Sequence, residues 1–302
     1  MSLAIKYRPS TTKELIGNNH IKQSIGSLIK NIDDMPRSIL LYGESGCGKT
    51  TIARIIANAV GNCSIEELNS ADFNGIDTIR QMNEDVLYLD FGKDYKVFII
   101  DEAHRLSAQA QDAMLKTLED GPKHCFFIIC TTDAHKIKKA IKTRCLKYEV
   151  ETLSPKQIKR QLEVISKKEG VEIDEEVMNT ITTQASGSMR EGITLFESVF
   201  KLKDKDNQLK ILKTTKKAED NGKKLCYLLL SSKGTKMQEV INIAKQMEED
   251  IETIRYNVLG YACKVIENRC SDRALVVCEA FSKEFKHKAD LYLAIANSIM
   301  GA

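Results

Sequence analysis

The chain has 302 residues, of which 42% are hydrophobic and 29% charged, with a formal net charge of +3. That length can bury more than one core and predicts two or three domains. The charge is too small to announce a nucleic-acid partner by itself, so any such surface has to come from local clustering. No apolar run is long enough to span a bilayer and no signal-peptide pattern opens the chain, so no membrane partner is expected. The nine cysteines lie scattered from Cys47 to Cys278 with no C-x-x-C pair, which reads as buried reduced thiols in a reducing compartment. Cys125 and Cys130 flank an apolar run and, at a strand's period of two, point to opposite faces, a poor arrangement for a shared metal. The five histidines are equally dispersed, and no metal site is readable.

In chain order, short apolar runs alternate with helical patterns from Ser38 to Val150: "SILLYG", "SIEELN", "KVFIID", "HCFFIICTT" and "LKYEV". Continuous apolar runs predict strands covered on both faces. Helices between them predict βαβ units and a parallel sheet. Residues 1–152 are therefore expected to form an α/β nucleotide-binding domain. From Ser154 the character changes: "SPKQIKRQLEVISKKEG" opens with Ser-Pro and stops at a glycine after two lysines. "DEEVMNTITTQAS" and "SMREGITLFESVFKL" complete a helical lid over 153–203. The lysine-rich "KDKDNQLKILKTTKKAEDNGKK" reads as a linker with a poorly determined first helix. Helical spacing then continues to "ADLYLAIANSIM", so 204–302 is expected to be an all-α domain.

The chemistry begins at "GESGCGKT", which lies between a strand and a helix and fits the phosphate-binding loop G-x-x-x-x-G-K-[ST]. Its glycines let backbone N–H groups curl round a phosphate, and the helix N-terminus adds its positive end. Gly43, Glu44, Ser45, Gly46, Cys47, Gly48, Lys49, Thr50 and the adjoining Thr51 are the expected nucleotide-binding stretch. Lys49 reaches the β and γ oxygens and Thr50 offers its hydroxyl to Mg²⁺, so ATP and Mg²⁺ are the expected cofactors. "KVFIIDEAH" puts Asp101 and Glu102 at the carboxyl end of a buried strand, the edge where open parallel sheets bind ligands. Asp101 is placed to hold the metal through water and Glu102 to act as the general base. A helix N-cap explains Asp101 alone and leaves the second acid without a role. "FFIICTTD" brings Thr131 and Thr132 to the same edge, either to bond a γ-phosphate or water or to cap a helix, as Asp133 also could. In "AIKTRCLKYEV" the surrounding charges are mostly lysines, so nothing local pairs with Arg144.

These segments, together with "KYRPSTTKELIGNNHI", "VFIIDEAHRLSAQAQDAMLKTLEDGP", "IICTTDAHKIKKAIKTRCLKYEV" and "ASGSMREGITLFE", resemble the AAA+ ATPases of clamp loaders. That group includes the bacterial DNA polymerase III gamma/tau and replication factor C small subunits. The resemblance covers residues 6 to 197. It implies an ATPase that uses ATP binding and hydrolysis to open a sliding clamp and load it on primer-template DNA. The expected partners are the clamp, the DNA and other clamp-loader subunits in a pentameric ring, homo- or hetero-oligomeric, in the cytoplasm of a bacterial or phage-infected cell. By the same resemblance Arg144 is an arginine finger serving the neighbour's ATP site, Thr132 is the sensor-1 residue and Arg190 the sensor-2 arginine of the lid. Tyr7, Arg8 and Pro9 then line the adenine side.

Two departures stand out. The family's four-cysteine zinc module is missing, since "NAVGNCSIEELNSADF" runs straight on with Cys63 alone, and no zinc is expected. Thr143 replaces the serine of the Ser-Arg-Cys signature and keeps the hydroxyl. The missing zinc module and a short C-terminal region point to a phage-encoded or otherwise divergent loader. "NGIDTIRQM" resembles the segment whose arginine follows the primer–template backbone, which makes Arg80 the first DNA-binding candidate and Arg105 the second. For either, a solvated surface arginine is the competing reading. Lys136, Lys138, Lys139 and Lys142 read as a solvated helix face, with service to DNA or to a subunit interface as the alternatives. Two other functions stay open: a structural subunit that binds nucleotide without hydrolysing it, and another AAA+ DNA-remodelling ATPase. Branch-migration helicases of the latter kind end in a winged-helix domain, which an all-α tail argues against.

Overall fold

The computed structural model describes all residues except 1, 33, 71–74, 232–236, 248–249, 270 and 301–302, and leaves aside the side chains of 215–223 and 267–269. Asn74 of "NGIDTIRQM" and the ninth cysteine, Cys270, thus lie outside the described residues. Two helices open the chain, α1 (Leu3–Lys6) and α2 (Asn19–Leu28). The α/β core follows as β1 (Ser38–Tyr42), α3 (Lys49–Ala59), β2 (Cys63–Asn69), α4 (Ile76–Asp85) and β3 (Tyr95–Asp101). A 3-10 turn (Ala103–Arg105) leads to α5 (Ala108–Asp120), β4 (Cys125–Thr131), α6 (Lys139–Arg144) and β5 (Leu146–Glu149).

The five strands are parallel in the order β2-β3-β4-β1-β5. Alternate residues of β1, β3 and β4 feed two cores. Ile39, Leu41, Val97, Ile99, Phe126, Ile128 and Cys130 pack on the face of α2 and α3. Leu40, Phe98, Ile100, Cys125, Phe127 and Ile129 pack on the face of α4 and α5. The two-sided burial expected of every strand fails at the edges: β2 is covered only on alternate residues and β5 buries Tyr148 alone. An edge strand with one covered face needs only every second side chain to be apolar.

The register sets the functional edge. Tyr42 stands opposite Thr131, Ile100 opposite Ile129 and Asn69 opposite Asp101, so β1, β2, β3 and β4 all run out at one level. Whatever follows each strand is delivered to that edge.

Three lid helices follow, α7 (Pro155–Glu169), α8 (Glu175–Gln184) and α9 (Met189–Val199). At the start of α7 the Ser154 side chain accepts from the Gln157 backbone while the Gln157 side chain accepts from the Ser154 backbone, a capping box worth about 1 kcal/mol. Then come α10 (Lys205–Leu230), α11 (Met237–Gln246), α12 (Ile251–Arg269), α13 (Asp272–Phe281) and α14 (Lys288–Met300). The lysine-rich stretch read as a linker is instead part of one 26-residue helix, α10. Lysine, glutamate, glutamine and leucine are all good helix formers, so a polar segment is not thereby an unstructured one. The chain divides into two compact units, Met1–Lys205 and Asp206–Ala302. The second has its own core around Leu225, Val240, Val258, Phe281 and Ile295, and among its described residues there is no strand. No described helix is long and apolar enough to cross a membrane.

Of the eight described cysteines, Cys47, Cys125, Cys130, Cys145 and Cys226 are buried free thiols. Cys263 is exposed, against the expectation of burial, and its sulfur lies 3.8 Å from that of Cys278.

Candidate nucleotide site

The loop after β1 closes tightly because two of its glycines admit no side chain. A Cβ on Gly43 would fall 2.2 Å from the Val150 carbonyl oxygen. On Gly46, at φ +74°, it would fall 2.1 Å from the Ser188 hydroxyl of the lid. The loop tip and the start of α9 are therefore in direct apposition. Lys49 opens α3 and is only 5% exposed, yet its ammonium donates to the carbonyls of Gly43 and Glu44 at 2.9 and 2.7 Å. Among the described residues no carboxylate pairs with it. A buried cation held by neutral carbonyls at a helix N-terminus is a cradle that an anion completes.

The acids stand where β3 ends. Asp101 accepts the Thr50 hydroxyl at 2.7 Å through Oδ2 and the Glu102 amide at 2.9 Å through Oδ1. Glu102 sits in the left-handed region at φ 51°, ψ 37°. A non-glycine residue there costs about 1–3 kcal/mol and persists because its surroundings hold it, a common mark of a functional position. The hydroxyl–carboxylate pair of Thr50 and Asp101, both hard oxygen donors, fits the shell of a Mg²⁺ ion.

A cavity of 370 Å³ opens over these groups. Its wall brings together Tyr7, Arg8 and Pro9, the stretch Ser45, Gly46, Cys47, Gly48, Lys49, Thr50 and Thr51, both Asp101 and Glu102, and Arg190. Gly43 and Glu44 lie behind the wall, where their carbonyls fix Lys49. The lid adds Met189 and Ile193, which no motif pointed to, as apolar lining. Tyr7 is held by α7: its hydroxyl donates to Glu169 Oε1 at 2.5 Å, and Lys6 donates to the same oxygen at 2.6 Å. The Lys6 bond, followed by that of Tyr7, keeps the Glu169 carboxyl below the usual carboxylate range.

Thr132 is not on the wall. Its hydroxyl lies 3.4 Å from His104 Nδ1, and His104 Nε2 lies 3.5 Å from Glu102 Oε2. No sequence signal marks His104, because "DEAH" explains itself by its two acids alone. The structure makes that histidine the link between strands β3 and β4 at the site.

Three predicted arginines stand elsewhere. Strand β5 starts level with Ile39 of β1, so Arg144 lies beyond its amino end. At about 3.3 Å per strand residue, the start of β5 is already roughly 13 Å along the strand direction from Gly43, and Arg144 ends α6 before that start. It is not unpartnered: its guanidinium reaches Glu119 at 2.5 Å and the Ala140 carbonyl at 3.0 Å. Glu119 comes from α5, 25 residues upstream, out of range of any local sequence search. The pair is partly exposed, is worth about 0–1 kcal/mol, and orients the arginine without locking it. Arg80 is exposed on α4 and pairs with Asp77 at 3.0 Å. Arg105 is exposed at the end of the 3-10 turn. In the lysine cluster, Lys138 pairs with Asp112 and Lys142 donates to the Ala134 carbonyl.

One feature had no motif. Leu87, Tyr88, Leu89 and Phe91 project from the turn between α4 and β3, with Phe91 fully exposed at 107%. Four large apolar side chains in five residues exceed the scattered exposure of an ordinary surface. They stand at the amino edge of the sheet, opposite the cavity.

A parallel sheet ordered 2-3-4-1-5, a phosphate loop after its first strand, acids after its third and a helical lid over the pocket define an AAA+ P-loop ATPase. The solved structures agree on fold: a single-site variant of RuvB of Thermotoga maritima aligns with a TM-score of 0.60 over 86% of this chain and 88% of that one, at 20% identity. Residues 64–154 match the family model described as DNA polymerase III, delta subunit. The DNA polymerase III subunit gamma of Buchnera aphidicola subsp. Schizaphis graminum is 34% identical over 75% of this chain and 68% of its own length. The gamma/tau subunit of Mycoplasma genitalium is 28% identical over 96% of this chain and 54% of its own length. For subunit tau of Bacillus subtilis the values are 31%, 63% and 38%. The chain belongs to the DNA polymerase III gamma/tau family, and spans from about two thirds to well under half the length of these relatives.

Proposed function

We propose that the protein is an ATP-hydrolysing subunit of a cytoplasmic clamp loader, which uses ATP to open a ring clamp and place it on primer-template DNA. The observation that carries this reading is the separation of Arg144 from its own cavity. The cavity has a phosphate cradle and a base but no arginine finger, while Arg144 stands at the far edge of the sheet, where only a neighbouring subunit's nucleotide lies within its reach. A ring of subunits, each lending its arginine to the next, uses both features.

Within one subunit, Tyr7, Arg8 and Pro9 face the base of the nucleotide, the loop amides and Lys49 take its phosphates, and Arg190 approaches from the lid. Thr50, with Asp101 behind it, would hold a Mg²⁺ ion, which would supply charge neutralisation on the phosphate oxygens. Glu102 accepts a proton from the attacking water and aims it. Arg144 of the adjacent subunit meets the charge that develops on the transferred phosphoryl, worth about 10³–10⁵ in rate in other NTPases. To reach it, Arg144 leaves Glu119, at a cost within the about 1 kcal/mol of a partly exposed pair.

The test is complementation. Arg144→Ala subunits, with a sound phosphate loop, are mixed with Lys49→Ala subunits, with a sound arginine. Each alone should lose most hydrolysis, and mixed oligomers should recover part of it. Absence of recovery in oligomers shown by mass spectrometry to be mixed would mean that Arg144 acts within its own chain, and the reading fails.

A further inference from the structure

We propose that Cys263 and Cys278 are a reversible oxidation site, joined by hydrogen peroxide into a disulfide that ties α12 to α13. The pair lies in the second compact unit, Asp206–Ala302, and its chemistry needs nothing of the nucleotide site.

The chain's own spacing brings the two thiols together. Helix α12 ends at Arg269 and α13 begins at Asp272, and a connection that short makes neighbouring helices antiparallel. Cys263 lies as far before Arg269 as Cys278 lies after Asp272, about 9 Å along each helix at 1.5 Å per residue, so both stand at one level. The residues before them, Ala262 and Val277, are fully buried in the seam between the helices. On antiparallel helices one further residue turns each side chain toward the same side of the pair. The sulfurs accordingly lie 3.8 Å apart, with Cys263 exposed and Cys278 half-buried. In a disulfide they stand about 2.05 Å apart, so they have to close by less than about 2 Å, within reach of rotation about two side chains.

Exposure decides which thiol reacts first. Cys263 faces water and meets the peroxide, and its thiolate attacks one oxygen. The O–O bond breaks, Cys263 becomes a sulfenic acid, and the departing hydroxide takes up a proton to become water. Burial, and after it the neighbouring Cys263 sulfur, push the Cys278 thiol up to about 11, so alone it stays protonated and unreactive. Proximity supplies what acidity does not: the Cys278 sulfur attacks the sulfenic sulfur, the S–S bond forms and the S–O bond breaks. The Cys278 proton leaves with the hydroxide as a second water. Two thiols and one peroxide thus give one disulfide and two waters, and a dithiol returns the two electrons. An exposed thiol senses the oxidant, and a shielded one captures it before the irreversible sulfinic stage. In a reducing compartment such a bond is transient. While it lasts it closes a segment spanning 15 residues and holds α12 on α13.

The experiment is a hydrogen peroxide titration of the full reduced chain, followed by alkylation of the remaining thiols and peptide mapping by mass spectrometry. The expected product is a peptide pair joined through Cys263 and Cys278. It should form before the buried Cys47, Cys125, Cys130, Cys145 or Cys226 loses its thiol, and dithiothreitol should reverse it. In Cys278→Ser no disulfide within the chain should form, and dimedone, which traps sulfenic acids, should label Cys263. In Cys263→Ser, Cys278 should oxidise at least about tenfold more slowly than in the parent, because its exposed partner is gone. A parental rate for Cys278 in that variant would overturn the proposal. So would a parent chain in which Cys263 bonds to Cys270 or to a second chain instead. So would one in which Cys263 passes to the sulfinic acid while Cys278 keeps its thiol. These last two results are read on the unaltered chain, so a variant that fails to fold does not shield the proposal.

Discussion

At the carboxyl edge of the sheet the strands end in polar, constrained chemistry: a buried lysine, two acids of which Glu102 is left-handed, and a histidine between Glu102 and Thr132. At the amino edge the same strands begin among exposed apolar side chains, Leu87 to Phe91, with Arg144 beyond the start of β5. Parallel strands create this division, since every strand points its end at one edge and its start at the other. On the proposed reading, nucleotide is turned over at the first edge and the second is left for contacts with other molecules. Substitutions at the two edges should therefore separate hydrolysis from recognition.

The largest effects should come from the carboxyl edge. Lys49→Ala should abolish ATP binding, because it removes the buried ammonium of the cradle. Glu102→Gln should bind ATP within about twofold of the parent and turn over about 10²–10⁴ times more slowly, the range for loss of a positioned base. Neither should alter the exposed surface of the amino edge. Equilibrium nucleotide titration and phosphate release measure the two quantities, and near-normal turnover in Glu102→Gln would remove that residue from the base role.

The reverse separation is expected at the amino edge. If the Leu87–Phe91 patch seats the ring clamp, Phe91→Ala and Leu87→Ala should each weaken clamp binding roughly tenfold, the usual loss on truncating a buried apolar anchor of an interface. Hydrolysis by the oligomer without clamp should not change, because neither residue lines the cavity. Surface-bound clamp titrated with each variant reads the affinity. Unchanged binding in the double variant would assign the patch to another occupant.

The legibility of the two edges in the sequence differs for a physical reason. The carboxyl edge obeys short-range rules: a loop wrapping a phosphate needs glycine at fixed offsets, so "GESGCGKT" and "FIIDEAH" can be read without a structure. The central strands are legible for a similar reason, since burial on both faces forces runs such as "FFIIC". Long-range pairing is not. Glu119 meets Arg144, Glu169 meets Tyr7 and Thr132 meets His104 only after the fold has formed. The Leu87–Phe91 patch escapes because "VLYLDF" looks as apolar as a core strand, and only the structure shows that a turn throws it outward. The lysine-rich part of α10 misleads in the opposite direction, polar composition standing for absence of structure.

The smallest expected effect tests whether α4, which runs from one edge to the other, belongs to either. Arg80 is exposed midway along it and bonded to Asp77 three residues before. That pair is solvated on both sides and worth about 0–1 kcal/mol, so a DNA phosphate can compete for the guanidinium. If Arg80 contacts the backbone of primer-template DNA, Arg80→Ala should weaken binding modestly and equally for unrelated sequences. It should also reduce the slope of log affinity against log salt by about one, for the counterion no longer released. Nucleotide affinity and clamp binding should both stay at parental values, which sets this effect apart from those at either edge. Titrations of labelled DNA at several salt concentrations supply the slope. A slope equal to the parent's would leave Arg80 as a surface arginine paired with Asp77, and α4 as a connector with no DNA contact of its own at that position.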